Sequence, residues 1–368
     1  MEHVQVDIWR DAHQADLRQE TRVFDAYGNS RREFLKSLAM AGAGALVSAA
    51  GLRAQATTSK GRIDVHHHLF PPFYIKAMEK EIDTRGFVAR NWSPQTSIDL
   101  MDRAGVETAM VSPVQRLVMD SMSDKSERAR SLCRESNEYA ARMVKDFPGR
   151  FGNFAALPLP DTEGSLKEMA HAYDTLKCDG IALWTSYLDK WVGDSDFWPV
   201  FEELNRRNAV VFYHPARAMC CRDLPGQSGI IEYDIDTARA IDSMLFQGTL
   251  SKFPSVRHIF VHSGGAFTTL AGRVYDDFPK SRADRVPHGV RYEVQRLYFD
   301  TAHASGKPAL DALKALVPVT QILYGSDVPL RQYPLTDEGL AEYEGFSGNE
   351  WKLINRGNAE RLFPRLRS

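Results

Sequence analysis

The run Ile63-Asp64-Val65-His66-His67-His68 sets two β-branched residues around a carboxylate and follows them with three imidazoles. A short β-branched run of this kind predicts a strand. Side chains alternate faces along a strand, so His66 and His68 share one direction while His67 takes the other. Two imidazoles so placed can grip one metal ion. A histidine triplet is otherwise more often a surface accident, and its position at a strand end argues against that here.

Seven further β-rich runs lie downstream, at 106–112, 151–157, 180–185, 209–214, 256–262, 297–301 and 321–326, with the first at 61–66. Most are unbroken stretches of Val, Ile, Phe, Leu and Ala, as expected of strands buried on both faces. Between them, apolar residues recur at three-to-four spacing over 96–104, 126–145, 164–176, 197–207 and 307–316, which predicts helices. Pro148-Gly149 stops the second helix, and Asp161-Thr162-Glu163 opens the third as a cap. Eight strand–helix repeats predict an α/β fold of the closed (β/α)8 TIM-barrel type. An open doubly wound sheet would carry a glycine-rich phosphate loop after its first strand, where His66-His67-His68 stands instead.

In such a barrel, chemistry gathers at the C-terminal ends of the strands. The first strand ends in His66 and His68, the fifth in His214-Pro215, the sixth in His262 and the eighth in Asp327. His66, His68, His214 and Asp327 are the candidate metal ligands, and Asp327 and His262 the candidate catalytic pair. Taken alone, His214 and His262 could be hydrogen-bonded core residues, and Asp327 a helix cap. Their common rim is what argues otherwise. Three imidazoles and a carboxylate suit one divalent ion, zinc first and manganese second. Arg273, eleven residues beyond His262, could pair with a substrate carboxylate or be a plain surface arginine. Phe70, Phe73, Trp184 and Tyr187 could wall an aromatic substrate or simply pack.

Among the chain's 368 residues, 46 Lys and Arg oppose 48 Asp and Glu, which gives no basic excess for nucleic acid or a membrane surface. The partner expected is a small molecule. Cys133, Cys178, Cys220 and Cys221 form no CxxC pair or zinc-finger spacing, and all four read as free thiols. Residues 1–56 read as an address. Ser30-Arg31-Arg32-Glu33-Phe34-Leu35-Lys36, an uncharged Ala/Gly-rich run at 38–52 and Ala54-Gln55-Ala56 resemble a twin-arginine export signal with its cleavage site. An amphipathic N-terminal helix is the competing reading. Export would give a periplasmic or secreted protein, with no membrane in its mature form. One catalytic domain is then expected over 57–368.

From Arg62 to Phe363 the chain resembles the amidohydrolase-related family typified by aminocarboxymuconate-semialdehyde decarboxylase. The pieces that carry the likeness are Ile63–His68, Val211-Phe212-Tyr213-His214-Pro215, His262-Ser263-Gly264-Gly265, Tyr324-Gly325-Ser326-Asp327 and Gly357-Asn358-Ala359-Glu360-Arg361-Leu362-Phe363. Pro71-Pro72-Phe73-Tyr74 and the 180–215 region look like the 6-methylsalicylate decarboxylase branch. The resemblance implies metal binding by His66, His68, His214 and Asp327, assistance by His262, and a homodimer. The reaction expected is non-oxidative decarboxylation of a hydroxylated aromatic acid. Hydrolysis of an amide, ester or lactone could use the same ligands, and a non-catalytic periplasmic binding protein is the reading from another class. An export signal departs from the cytoplasmic members of the family.

Overall fold

The computed structural model describes residues 61–77, 91–113, 127–215 and 231–367. All of these belong to one compact unit, Gln55–Ser368. The export signal, Cys220 and Cys221 lie outside the described residues. Cys133 and Cys178 are free and buried.

Eight parallel strands follow one another in chain order around a single sheet. They are β1 (Arg62–Leu69), β2 (Val106–Pro113), β3 (Phe151–Ala156), β4 (Gly180–Trp184), β5 (Val210–His214), β6 (Arg257–Phe260), β7 (Tyr298–Asp300) and β8 (Ile322–Leu323). Hydrogen bonds from Val65 N to Tyr324 O (3.0 Å), Asp327 N to His66 O (2.8 Å) and His68 N to Val328 O (2.7 Å) close the ring. The predicted TIM barrel is the observed fold.

Ile63, Val65, Phe154, Ala182, Phe212, Ile259, Val261 and Leu323 fill the barrel interior, and Leu362 and Phe363 pack against them. A larger apolar cluster lies between the strands and the helices outside. Among the described residues no helix is long and apolar enough to cross a membrane.

Three departures from the sequence reading have local causes. The first helix begins at Pro94 rather than 96, because Ser93 caps it in a reciprocal capping box with Thr96 and proline suits the first turn. The third ends at Ala170 and runs on as a π-turn, His171–Thr175. β8 stops at Leu323 instead of reaching Ser326. Tyr324 N bonds Ile354 O, Gly325 N bonds Thr301 Oγ1 and Ser326 N bonds Asp64 Oδ1. Those diverted amides turn the chain so that Asp327, with φ 69°, faces the barrel mouth.

Candidate metal centre

β1 places its histidines by breaking the simple alternation. Asp64 pairs with Ala109 and His67 with Val111, so three steps on β1 oppose two on β2. That bulge reverses the phase. Val65 and His66 both belong to the interior, where His66 meets the Phe212 ring at 5.0 Å. His68 follows inward, with its ring 4.9 Å from that of His214. Asp64 and His67 face outward, where both meet Tyr333.

The inward groups converge. His66, His214, His262 and Asp327 each offer a ligand atom within 4.8 Å of the others. His68 Nε2 lies 2.7 Å and His66 Nε2 3.1 Å from Asp327 Oδ1, and the two imidazole nitrogens are 3.2 Å apart. Yet Asp327 Oδ1, His214 Nε2 and His262 Nε2 are buried with no hydrogen-bond partner among the described residues. Lone pairs that crowd together without bonding one another fit a shared cation. The donor set of imidazoles and a carboxylate therefore fits a divalent metal ion.

Electrostatics agree with that fit. Burial, with the neighbouring His68 and His66, holds His214 well below the ordinary histidine range. Burial and His66 do the same to His262. Burial also lowers His68, outweighing its contact with Asp327. Burial would raise Asp327, but His66 and the hydrogen bond from His303 hold it well below the usual carboxylate range. His66 itself is pulled down by burial and pushed up further by Asp300 and Asp327, to about 10. His214, His262 and His68 are thus kept neutral with lone pairs free, while a proton on His66 supplies the positive charge that the Asp300 and Asp327 carboxylates call for.

Three residues at this site went unread in the sequence. His303 Nε2 lies 2.7 Å from Asp327 Oδ2, with its ring 5.1 Å from that of His262. Its side chain is 39% exposed, at the mouth. Asp300 pairs with His66 Nδ1 at 2.8 Å. Tyr233 sets its ring 6.4 Å from His214. His303 and Asp300 end or follow β7, so the strand-end argument, extended to the seventh strand, would have found them. His262, Ser263, His303 and Asp327 all have φ between 54° and 69°. Left-handed backbone is costly for such residues and collects where a site demands it.

Of the expected substrate contacts, the structure sets Trp184 beside the cluster, its ring 6.3 Å from His214 and its Nε1 buried without a partner among the described residues. Phe73 is half-buried on helix Pro72–Ala77 and packs on the outer core, while Phe70 meets Trp92. Tyr187 is a packing residue. Its ring meets Phe197 at 5.4 Å and its hydroxyl accepts the Trp184 N–H at 2.9 Å. Arg273 is not gathered into the site. Its side chain is 83% exposed on helix Phe267–Asp277, 3.6 Å from Asp277 one turn on, as a surface i,i+4 pair.

The profile of the amidohydrolase family Amidohydro_2 matches residues 63–365. Decarboxylase macB of Penicillium terrestre is 33% identical over 327 residues, which cover 83% of this chain and 96% of its own. The 6-methylsalicylic acid decarboxylase acuB of Aspergillus aculeatus is 31% identical over 330 residues, covering 83% and 97%. Among solved structures, a dihydroxybenzoic acid decarboxylase from a Polaromonas species, with bound manganese and the inhibitor 2-nitroresorcinol, aligns with a TM-score of 0.69 at 20% identity. That alignment covers 84% of this chain and 98% of the other, and it speaks for the fold.

Proposed function

The chain belongs to the amidohydrolase family, and on that premise we propose that it is a metal-dependent, non-oxidative decarboxylase of a hydroxylated, salicylate-like aromatic acid. The observation that carries this reading is the convergence of His66, His68, His214 and Asp327 in a barrel whose relatives at 31–33% identity are decarboxylases.

We assign those four residues as the ligands of one divalent ion. His68 is assigned in place of His262 because its Nε2 faces Asp327 Oδ1, the oxygen left without a hydrogen bond, and its ring meets that of His214 at 4.9 Å, whereas His262 faces Oδ2, which His303 already occupies. Zinc is the ion we propose, since imidazole nitrogens dominate the donor set. The manganese of the Polaromonas structure is the alternative to test. When bound, the ion supplies the positive charge that holds the carboxylate and neighbouring hydroxyl of the substrate.

The chain's own groups then handle a single proton. Decarboxylation replaces the ring carbon's carboxylate by hydrogen, so one proton must reach that carbon as carbon dioxide leaves. Asp327 Oδ2, ionised at rest, relays it from His303 to the ring carbon. His303, half in solvent and 2.7 Å away, resupplies it. His262, kept neutral by burial, sits 4.0 Å from the same oxygen and steadies its protonation state. Trp184 contributes an apolar wall beside His214 that suits an arene and excludes water from the reacting carbon.

The expected result with zinc- or manganese-loaded protein and a panel of hydroxybenzoates is carbon dioxide and the matching phenol. A panel that yields no gas, with lactones or esters opened instead, would overturn the decarboxylase reading. We also propose export by the twin-arginine machinery and a homodimer. N-terminal sequencing of the mature protein, expected to begin near Thr57, and sedimentation test these two.

A further inference from the structure

Asp300 is fully buried at the end of β7, and each of its side-chain oxygens has a different task. Oδ1 accepts two backbone donors, His262 N–H at 2.9 Å and Ala302 N–H at 3.0 Å. Oδ2 is left for His66 Nδ1, at 2.8 Å. A carboxylate has no proton to give, so Nδ1 of His66 is the donor, and it is the Nε2 proton facing Asp327 that a bound metal replaces. The ring's lone pair then stands on Nε2, the nitrogen that faces His68 and Asp327.

The surroundings are built around this contact. A Cβ on Gly325 would sit 2.8 Å from Asp300 Cβ and 2.9 Å from His66 Cβ, so only glycine lets the two approach. Ser263 Oγ donates to Asp300 O, and Thr301 Oγ1 donates to Gly325 O while accepting its N–H. The His262 amide held by Asp300 belongs to a residue at φ 54°, and that hydrogen bond offsets part of the cost of the strained turn.

We propose that Asp300 is a positioning residue that acts on two partners at once. It fixes His66 in the Nδ1–H form with Nε2 as a metal ligand, and it anchors the backbone of His262. The inference rests on the metal-site reading above.

Two variants separate this role from space filling. In Asp300→Asn the amide oxygen is claimed by the His262 and Ala302 N–H groups, which leaves the NH2 facing His66 Nδ1. Two donors cannot face each other, so Nδ1 must become the acceptor and the proton moves to Nε2, where it occupies the metal-binding lone pair. Asp300→Ala leaves Nδ1 free to adopt either state. Zinc affinity, measured by chelator competition, is therefore expected to fall in the order wild type, alanine, asparagine. The asparagine variant should lose roughly 10–100-fold, the range seen when an orienting partner of a ligand is changed.

A residue that only fills space would give the reverse order, with the near-isosteric asparagine closest to wild type. Asparagine within twofold of wild type overturns the proposal. Melting of the metal-free variants shows whether each is folded. Nitrogen-15 NMR of zinc-loaded, histidine-labelled wild type needs no variant: Nδ1 of His66 should carry a proton and Nε2 the metal, and the opposite assignment overturns the proposal. Wild-type protein that takes up neither zinc nor manganese overturns the metal-site reading itself, and this inference with it.

Discussion

The two faces of β1 carry the same residue types and do opposite things. Outward, Asp64 accepts His66 N–H (3.0 Å), Ser326 N–H (3.1 Å), Ser326 Oγ–H (2.6 Å) and Tyr333 O–H (2.9 Å). His67 beside it is paired at both nitrogens, with Ser97 Oγ at 2.8 Å and Tyr333 OH at 3.3 Å. Inward, His66 and His68 approach Asp327 closely, yet its Oδ1 is left without a hydrogen bond. Burial alone therefore does not mark a reactive histidine. What separates the faces is whether the polar atoms satisfy one another or are left to point at a common centre. The outer face also serves the inner one, since Asp64 and Ser326 tie β1 to the turn that presents Asp327.

The sharpest way to break this comparison is to remove the inner carboxylate. Asp327→Asn loses the proton donor and a ligand together, and turnover should fall on the order of 10²–10⁴-fold, the range for loss of a positioned acid or base. Metal-free melting should fall much less than turnover, because the asparagine oxygen can still accept from His303 and only the attraction to His66 is lost. Paired measurements of carbon dioxide release and melting temperature check both halves. A variant that keeps a tenth of the activity would remove Asp327 from the chemistry.

Changing the outer face should reverse the pattern. His67→Ala removes one of two partners from each of two hydroxyls in a fully buried network, leaving Ser97 with Trp92 and Tyr333 with Asp64. Losing each hydrogen bond of this kind costs roughly 0.5–1.5 kcal/mol. Denaturant unfolding of the metal-free protein should register that loss, while zinc content and turnover stay close to wild type. Loss of metal without loss of stability would mean that the third histidine of the triplet had been placed on the wrong face.

The triplet shows how far the sequence could be read. Strict alternation correctly separated His67 from His66 and His68, but it also set Val65 and His66 on opposite sides. The bulge between Asp64 and His67 makes them neighbours inside the barrel, and one extra residue in a ladder leaves no mark in a single sequence. The eight strands were legible because most are dense apolar runs set at regular intervals between helical patterns. Asp300 and His303 were missed because the strand-end argument was not carried to the seventh run, 297–301, where an isolated acid and a histidine beyond it look like turn chemistry. Only the fold brings them to His66 and Asp327. For Arg273 the sequence left a substrate partner and a plain surface arginine open, and the helix places it in the second setting, beside Asp277.

His258 extends the comparison to β6, where it too faces away from the interior and pairs with Tyr213 OH at 2.8 Å. Burial, helped by Arg296, holds it down at about 3. An unfolded chain returns it to roughly 6.5. Above that pH the ring is neutral in both states and its contribution to stability is complete. As pH falls from there toward 3, the unfolded chain binds a proton that the native ring refuses, so stability is lost, by at most about 1.4 kcal/mol per pH unit. His258→Gln keeps a polar partner for Tyr213 and removes the proton. Unfolding free energies of the metal-free proteins, measured from about pH 6.5 to about pH 4, should therefore fall less steeply in the variant. Parallel curves would mean that the fold tolerates a charged His258, and that an outward histidine can be as open to protons as one at the mouth.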